Sequence, residues 1–274
     1  MSINMNTNMS ALTTYRNLTQ TAKEKDQANE RLSSGKKINS ASDDASGLAI
    51  SESLEAQIAS LGKAVNNIAD TSNMLQVAEG ALSNISDMSL RMQELTMQAS
   101  NATTSSFDKS IISNEISSLV SEMNSTASRT EFNEKTLLDG SVSDANIQIG
   151  SSTDQNMSVT IDEFSIDPST ASALTENTTE LDFAQSLDDI AWISNNTVSS
   201  RASIGATQNG LSYTSSVITQ ARENLASANS NIKDADMAEE VMNYTSKKAL
   251  QDVQTTLLAQ ANQSAMNTTR LLMM

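Results

Sequence analysis

The sequence predicts a mainly α-helical chain that runs out and returns as a long helical hairpin or coiled-coil rod, with a small β-hairpin region at its outer end. Three observations predict it. Both ends carry apolar residues at helical spacing: Ile3, Met5, Met9, Leu12, Tyr15 and Leu18 at the start, and Val241, Tyr244, Val253, Leu257 and Ala261 near the finish. One proline and eight glycines leave little to interrupt long helices. Two internal stretches repeat large apolar residues every seven positions: Leu54, Leu61, Ile68, Leu75 and Leu82, then Ile204, Leu211, Ile218 and Leu225.

The first helical block covers residues 5–33 and stops at Gly35, a residue suited to the left-handed cap. Residues 40–47 are small and polar, and Ser42 or Asp43 caps the next helix. The second block runs over residues 45–101, roughly 80 Å at 1.5 Å per residue. Its companion apolar row shifts by one residue midway, the drift of a nearly straight helix. The third block, residues 106–129, places Ile112, Ile116, Leu119, Met123 and Ala127 on one face. The pattern then changes. Ile147, Gln148 and Ile149 alternate, as do Met157, Val159 and Ile161, which predicts a hairpin or small sheet. A fourth block, residues 184–268, pairs its seven-residue row with small partners and breaks near residues 231–236. The resulting layout is helix–helix–small β region–helix–helix.

Composition narrows the function. The net charge of −16 argues against the basic face that nucleic-acid binding needs, and suits a solvated surface. Residues 136–200 hold eleven acids and no Lys or Arg, an outward solvated stretch. No run of about 18 apolar residues spans a membrane, and residues 1–20 lack the form of a secretory signal. With no cysteine and no histidine, disulfides, thiolate chemistry, His-based triads and His or Cys zinc sites are excluded. The carboxylate pairs Asp43/Asp44 and Asp188/Asp189 precede helices and read as dipole-stabilised caps. Gly205–Gly210 lacks the Gly-Lys-Ser/Thr of a phosphate loop, and the fourteen methionines read as packing. No cofactor, metal or catalytic residue is expected. The residues point to a building block: each apolar-striped end needs a partner, either the other end or further copies.

Residues 30–50 read ERLSSGKKINSASDDASGLAI, residues 3–12 read INMNTNMSAL, and residues 204–236 contain GATQN and ENLASANSNIKDAD, followed by LAQANQ at 258–263. In this order they resemble the N- and C-terminal signatures of bacterial flagellins. Departures are Gly210, Asn231 and Lys233 where arginine is usual, Ala265–Met266 in place of a Pro-Gln pair, and a Met273–Met274 end. The resemblance implies the two inner layers called D0 and D1, with little or no variable outer domain. Residues 1–42 and 231–274 would be the terminal D0 helices. Residues 43–230 would be the D1 rod, with its β region at about 136–182.

The implied function is a non-enzymatic subunit of the helical flagellar filament, the propeller for swimming, exported by the flagellar type III apparatus to the cell exterior. Its implied partners are copies of itself or related flagellins, an export chaperone at the C-terminal helix, and the filament cap and hook-junction proteins. Toll-like receptor 5 is a further implied partner, through Arg91, Leu95 and Glu115. Assembly is expected on the terminal stripe, Ile3, Met5, Met9, Leu12, Leu18, Val241, Leu257 and Ala261. Two other readings are a hook–filament junction protein, and an adhesin or host-receptor ligand acting apart from motility.

Overall fold

The computed structural model describes residues 7–166, 170–171, 174 and 183–272. The expected stripe residues Ile3 and Met5, and residues 167–169, 172–173 and 175–182 of the expected β region, lie outside the described residues. The chain divides into two compact units. Unit 1 is Met1–Ala56 with Asn224–Met274, and unit 2 is Gln57–Glu223.

In unit 1, α1 (Met9–Ser34) begins where the Asn8 side-chain oxygen accepts the Ala11 N–H at 3.0 Å. It ends at Gly35, whose φ of 70° is the left-handed cap and whose N–H reaches the Arg31 carbonyl. Asp44 then starts α2 (Ala45–Ala99): its Oδ1 accepts the Ser46 and Gly47 N–H groups, both at 3.0 Å. The last helix of the chain, α5 (Met237–Leu272), is capped by Asp236, which accepts from the Ala238 N–H at 2.9 Å. It lies antiparallel on α1. Asn8 Nδ2 donates to the Ala261 carbonyl, Lys25 Nζ to Gln251, and Lys247 Nζ to Glu24. The two links that precede α2 and α5 are tied main chain to main chain. Lys37 N–H donates to the Lys233 carbonyl at 2.8 Å and Ala235 N–H to the Gly35 carbonyl at 3.0 Å.

In unit 2, α2 packs antiparallel against α3 (Ser106–Arg129), which is capped by Ser105 accepting the Asp108 N–H. It also packs antiparallel against α4 (Phe183–Lys233), where Arg201 Nη2 meets Glu79 Oε1 at 3.0 Å. Two separate hairpins come after α3. The first, β1 (Glu131–Phe132) with β2 (Lys135–Thr136), has no counterpart in the sequence pattern. Its turn places Asn133 and Glu134 at φ 50° and 65°, the positive pair of a type I′ turn. The second pairs β3 (Ala145–Gln148) with β4 (Asn156–Val159), in the stretches whose alternation predicts strands, with Ile147 opposite Met157. Val159 and Ile161 turn into the core.

Among the described residues the large, fully buried side chains all belong to unit 2: Leu75, Leu82, Ile85, Met92 and Leu95 from α2, Met123 from α3, Leu137 and Leu138 directly after the first hairpin, and Ile190 and Ile193 from α4 among them. Among the described residues of unit 1, only Ala28 and Ile38 are apolar and buried to a similar degree. One unit has a sealed core and the other is a thin helix pair.

Candidate assembly surface

The functional surface grows from that asymmetry. On α1, Met9, Leu12 and Tyr15 are exposed and Leu18 is half-buried. On α5, Val241, Val253 and Leu257 are exposed, together with Met237, Met242, Leu250 and Met266, and Ala261 is half-buried. Pairing α1 with α5 covers the Ala28 and Thr21 side of α1 and leaves most large apolar side chains in water. Contiguous exposed apolar side chains of this kind are characteristic of surfaces that meet another molecule.

Polar ties run through unit 1. Lys247 Nζ lies 2.5 Å from Glu24 Oε2, and this hydrogen bond, followed by one from Gln20, keeps the Glu24 carboxyl below the ordinary glutamate range. Lys233 Nζ lies 2.6 Å from Glu55 Oε1 and lowers the Glu55 pKa in the same way. Arg31 reaches Glu240 at 3.9 Å. Charge is unevenly divided: ten basic and twelve acidic residues in unit 1, seven basic and twenty-one acidic in unit 2.

Of the seven-residue rows, Leu61, Ile68, Leu75, Leu82, Ile204, Leu211 and Ile218 are buried, while Leu54 and Leu225 are half-buried. Arg91 and Glu115 are exposed and joined across α2 and α3 at 2.9 Å. Leu95 is different. At 2 % exposure it belongs to the core, so it holds the Arg91 turn from beneath and presents nothing to a partner. The exposed leucine of that stretch is Leu90, which the sequence does not distinguish because both fit a helical stripe. Among the described residues no group of three or more carboxylates is placed to hold a metal ion, and no described helix is long and apolar enough to cross a membrane.

One unit is a pair of terminal helices with an apolar stripe open to solvent, and the other is a strongly acidic helical unit with its own core; together they are the parts of a helical structural protein rather than of a catalyst's pocket. The family described as the bacterial flagellin N-terminal helical region matches residues 5–143, and that described as the bacterial flagellin C-terminal helical region matches residues 187–272. A flagellin of Halalkalibacterium halodurans is 36 % identical over 260 residues, covering 94 % of this chain and 96 % of that one. A flagellin of Bacillus subtilis is 36 % identical, covering 98 % and 99 %. The fold is similar to a solved flagellar hook-associated protein of Vibrio parahaemolyticus, with a TM-score of 0.61 at 15 % identity over 70 % of this chain and 100 % of that one. The chain belongs to the bacterial flagellin family. It is a structural subunit of the flagellar filament.

Proposed function

We propose that the subunit polymerises head to tail through its terminal helix pair, and that this stripe, Met9, Leu12, Leu18, Val241, Leu257 and Ala261 with Ile3 and Met5 beyond the described residues, is the inner-layer contact. The observation that carries this reading is unit 1 itself, a pair of long helices whose large apolar side chains stay in water. Ordering so many backbone residues around so little buried apolar area is unfavourable for a lone molecule. Neighbouring subunits supply the missing area. Contacts that repeat without closing generate a helical polymer.

On this reading D0 comprises residues 1–42 and 231–274, and D1 comprises residues 43–230 with the rows from Leu54 to Leu82 and from Ile204 to Leu225 as its internal seam. Export through the flagellar type III apparatus requires an unfolded passage, which suits ends that are weakly stable alone. A chaperone masks the exposed stripe of α5 before export. The chain then lies outside the cell, in contact with copies of itself and with the cap and hook-junction proteins, and performs no catalysis. Arg91 and Glu115 form the contact for Toll-like receptor 5, supported by Leu95 beneath them.

The test is seeded polymerisation of the purified chain with circular dichroism of both forms. Long tubes with a gain of helix over the monomer are expected. A permanent monomer with seeds present, or equal helicity in both forms, overturns the proposal. For the receptor, Arg91→Ala in soluble monomer is expected to weaken a reporter-cell response, and no response to the unaltered monomer removes that contact.

A further inference from the structure

Methionine is concentrated where the fold is least covered. Eight of the fourteen methionines belong to unit 1, the shorter of the two units. The four of these whose side chains are described all stand in water: Met9 is 54 % exposed, Met237 46 %, Met242 66 % and Met266 67 %. Unit 2 treats the residue in the opposite way. Met92 and Met123 are fully enclosed, Met74, Met88 and Met157 are half-buried, and of its six only Met97 is exposed. The ties from Asn8 to the Ala261 carbonyl and from Arg31 to Glu240 fix where the four lie. Met9 and Met266 share one end of the α1–α5 pair, and Met237 and Met242 share the other. Met9 precedes Leu12 by three residues and Met237 precedes Val241 by four, so both continue the exposed stripe. Two departures from the flagellin signatures, Met266 and the Met273–Met274 end, are themselves methionines. With no cysteine in the chain, the methionine sulfurs are what a peroxide oxidises first.

We propose that Met9, Met237, Met242 and Met266 make the terminal helix pair an oxidation switch: as thioethers they take part in assembly, and as sulfoxides they hold the subunit out of the filament. The proposal rests on the reading of the stripe as the inner-layer contact and adds its regulation. The oxidant is a peroxide, hydrogen peroxide being the simplest. The thioether sulfur attacks one peroxide oxygen, the O–O bond breaks, and an S–O bond forms. The other oxygen leaves as water and carries away both peroxide protons. Sulfur gives up two electrons and the peroxide takes them. The sulfoxide has a strong dipole whose oxygen accepts hydrogen bonds, which water supplies in the monomer. Beneath the apolar side chains of a neighbouring copy that oxygen loses its water and finds no donor, so burial is opposed at four positions at once. Leu12, Val241 and Leu257 offer similar apolar area on the same helices without this response. The change is reversible, because a thiol-dependent methionine sulfoxide reductase restores the thioether.

The test uses the full-length chain elongating from fragments of its own filaments. Monomer is treated with graded hydrogen peroxide, and peptide mass spectrometry locates each added oxygen. The four exposed methionines are expected to convert well before Met92 and Met123. Their conversion is expected to raise the critical concentration for elongation by at least about tenfold, and sulfoxide reductases of both epimer specificities to lower it again. In the filament the same four should oxidise severalfold more slowly than in the monomer. With all four replaced by leucine, treated and untreated critical concentrations are expected to coincide, whereas Met97→Leu should leave the response to peroxide intact. Full conversion of the four without a change in critical concentration overturns the proposal while the filament reading stands, as does a four-leucine chain that remains sensitive. Equal oxidation rates in monomer and filament overturn it too. Untreated chain that never elongates from its own fragments overturns the filament reading itself. The conversion, reductase and filament arms use the unaltered chain, so they decide the matter even where the four-leucine chain fails to assemble.

Discussion

The Lys247 ammonium on α5 donates to the Glu24 carboxylate on α1 at 2.5 Å, joining residues 223 positions apart in the chain. A second such tie, Lys233 to Glu55 at 2.6 Å, joins the end of α4 to the start of α2. Where apolar burial is thin, these charge-assisted bonds are a larger share of what holds the helices of unit 1 together. Both pairs are partly open to solvent, so each contributes modestly, and their joint effect is best read through pH and salt.

Glu24 and Glu55 are both held below the ordinary glutamate value of 4.5 by their lysine partners. A carboxylate whose pKa drops on folding stabilises the fold fully above its unfolded value and loses that contribution as pH falls through the folded one. The melting temperature of the monomer should therefore be level down to about pH 5 and decline below 4.5. Lys247→Met should lower stability at pH 7 and flatten the acid decline. Thermal circular dichroism between pH 3 and pH 7 measures this; an unchanged acid slope in Lys247→Met would remove the pair from the account.

Gly47 sits where a side chain does not fit. An added Cβ would lie 2.4 Å from Asp44 Oδ2 and 2.7 Å from Ile38 Cδ1. Asp44 is the cap of α2, and its hydrogen bonds to Gly47 and Ser46 hold its pKa down. Gly47→Ala must displace that carboxylate, so it is expected to destabilise by about 1–2 kcal/mol, the loss of one helix cap. Urea unfolding decides it, with Gly80→Ala as a control: nothing lies near its added Cβ, and it should be neutral or stabilising.

Leu75 and Leu82 are fully enclosed on α2, whereas Leu90 on the same helix is exposed. Leu75→Ala or Leu82→Ala should cost about 2–5 kcal/mol through lost burial and a residual cavity. Leu90→Ala should stay within about 0.5 kcal/mol, as surface changes usually do. Similar losses at Leu75 and Leu90 in equilibrium unfolding would mean that the core of unit 2 is not packed as described.

The acidic excess of unit 2 predicts salt-dependent elongation. Raising salt from 0.1 M to 1 M shortens the screening length from about 10 Å to about 3 Å and removes most repulsion between neighbours. Filament growth, followed by light scattering, should start at lower protein concentration in the higher salt. Growth indifferent to salt would show that neighbouring copies keep their carboxylates far apart.

Much of this architecture is legible in the residues. The third helical block matches α3 at both ends, because Ser105 caps one end and the β-forming EF pair follows the other. Gly35 marks its break as a left-handed C-cap and Asp236 marks the next as a carboxylate N-cap. The β3–β4 pairing shows in two-residue alternation. The first hairpin is not visible: its strands are two residues long, and Asn133 followed by Glu134 is a weak turn signal where Asn-Gly would be a strong one. Nor does periodicity say which of two stripe residues faces inward, so Leu95 and Leu90 cannot be told apart by spacing. That Trp192 and Tyr213 of α4 are exposed is also hidden, since a core row and an exposed apolar row share the same spacing and only burial separates them.

The backbone tie between Gly35–Lys37 and Lys233–Ala235 has a mechanical consequence. Tension drawn along either terminal helix reaches the opposite strand of the chain through amide and carbonyl groups, which every residue except proline provides in full. Load transfer at this point is therefore indifferent to side-chain identity. The residues around it are free to vary between relatives, provided that position 35 keeps its left-handed twist and no proline enters at 37 or 235.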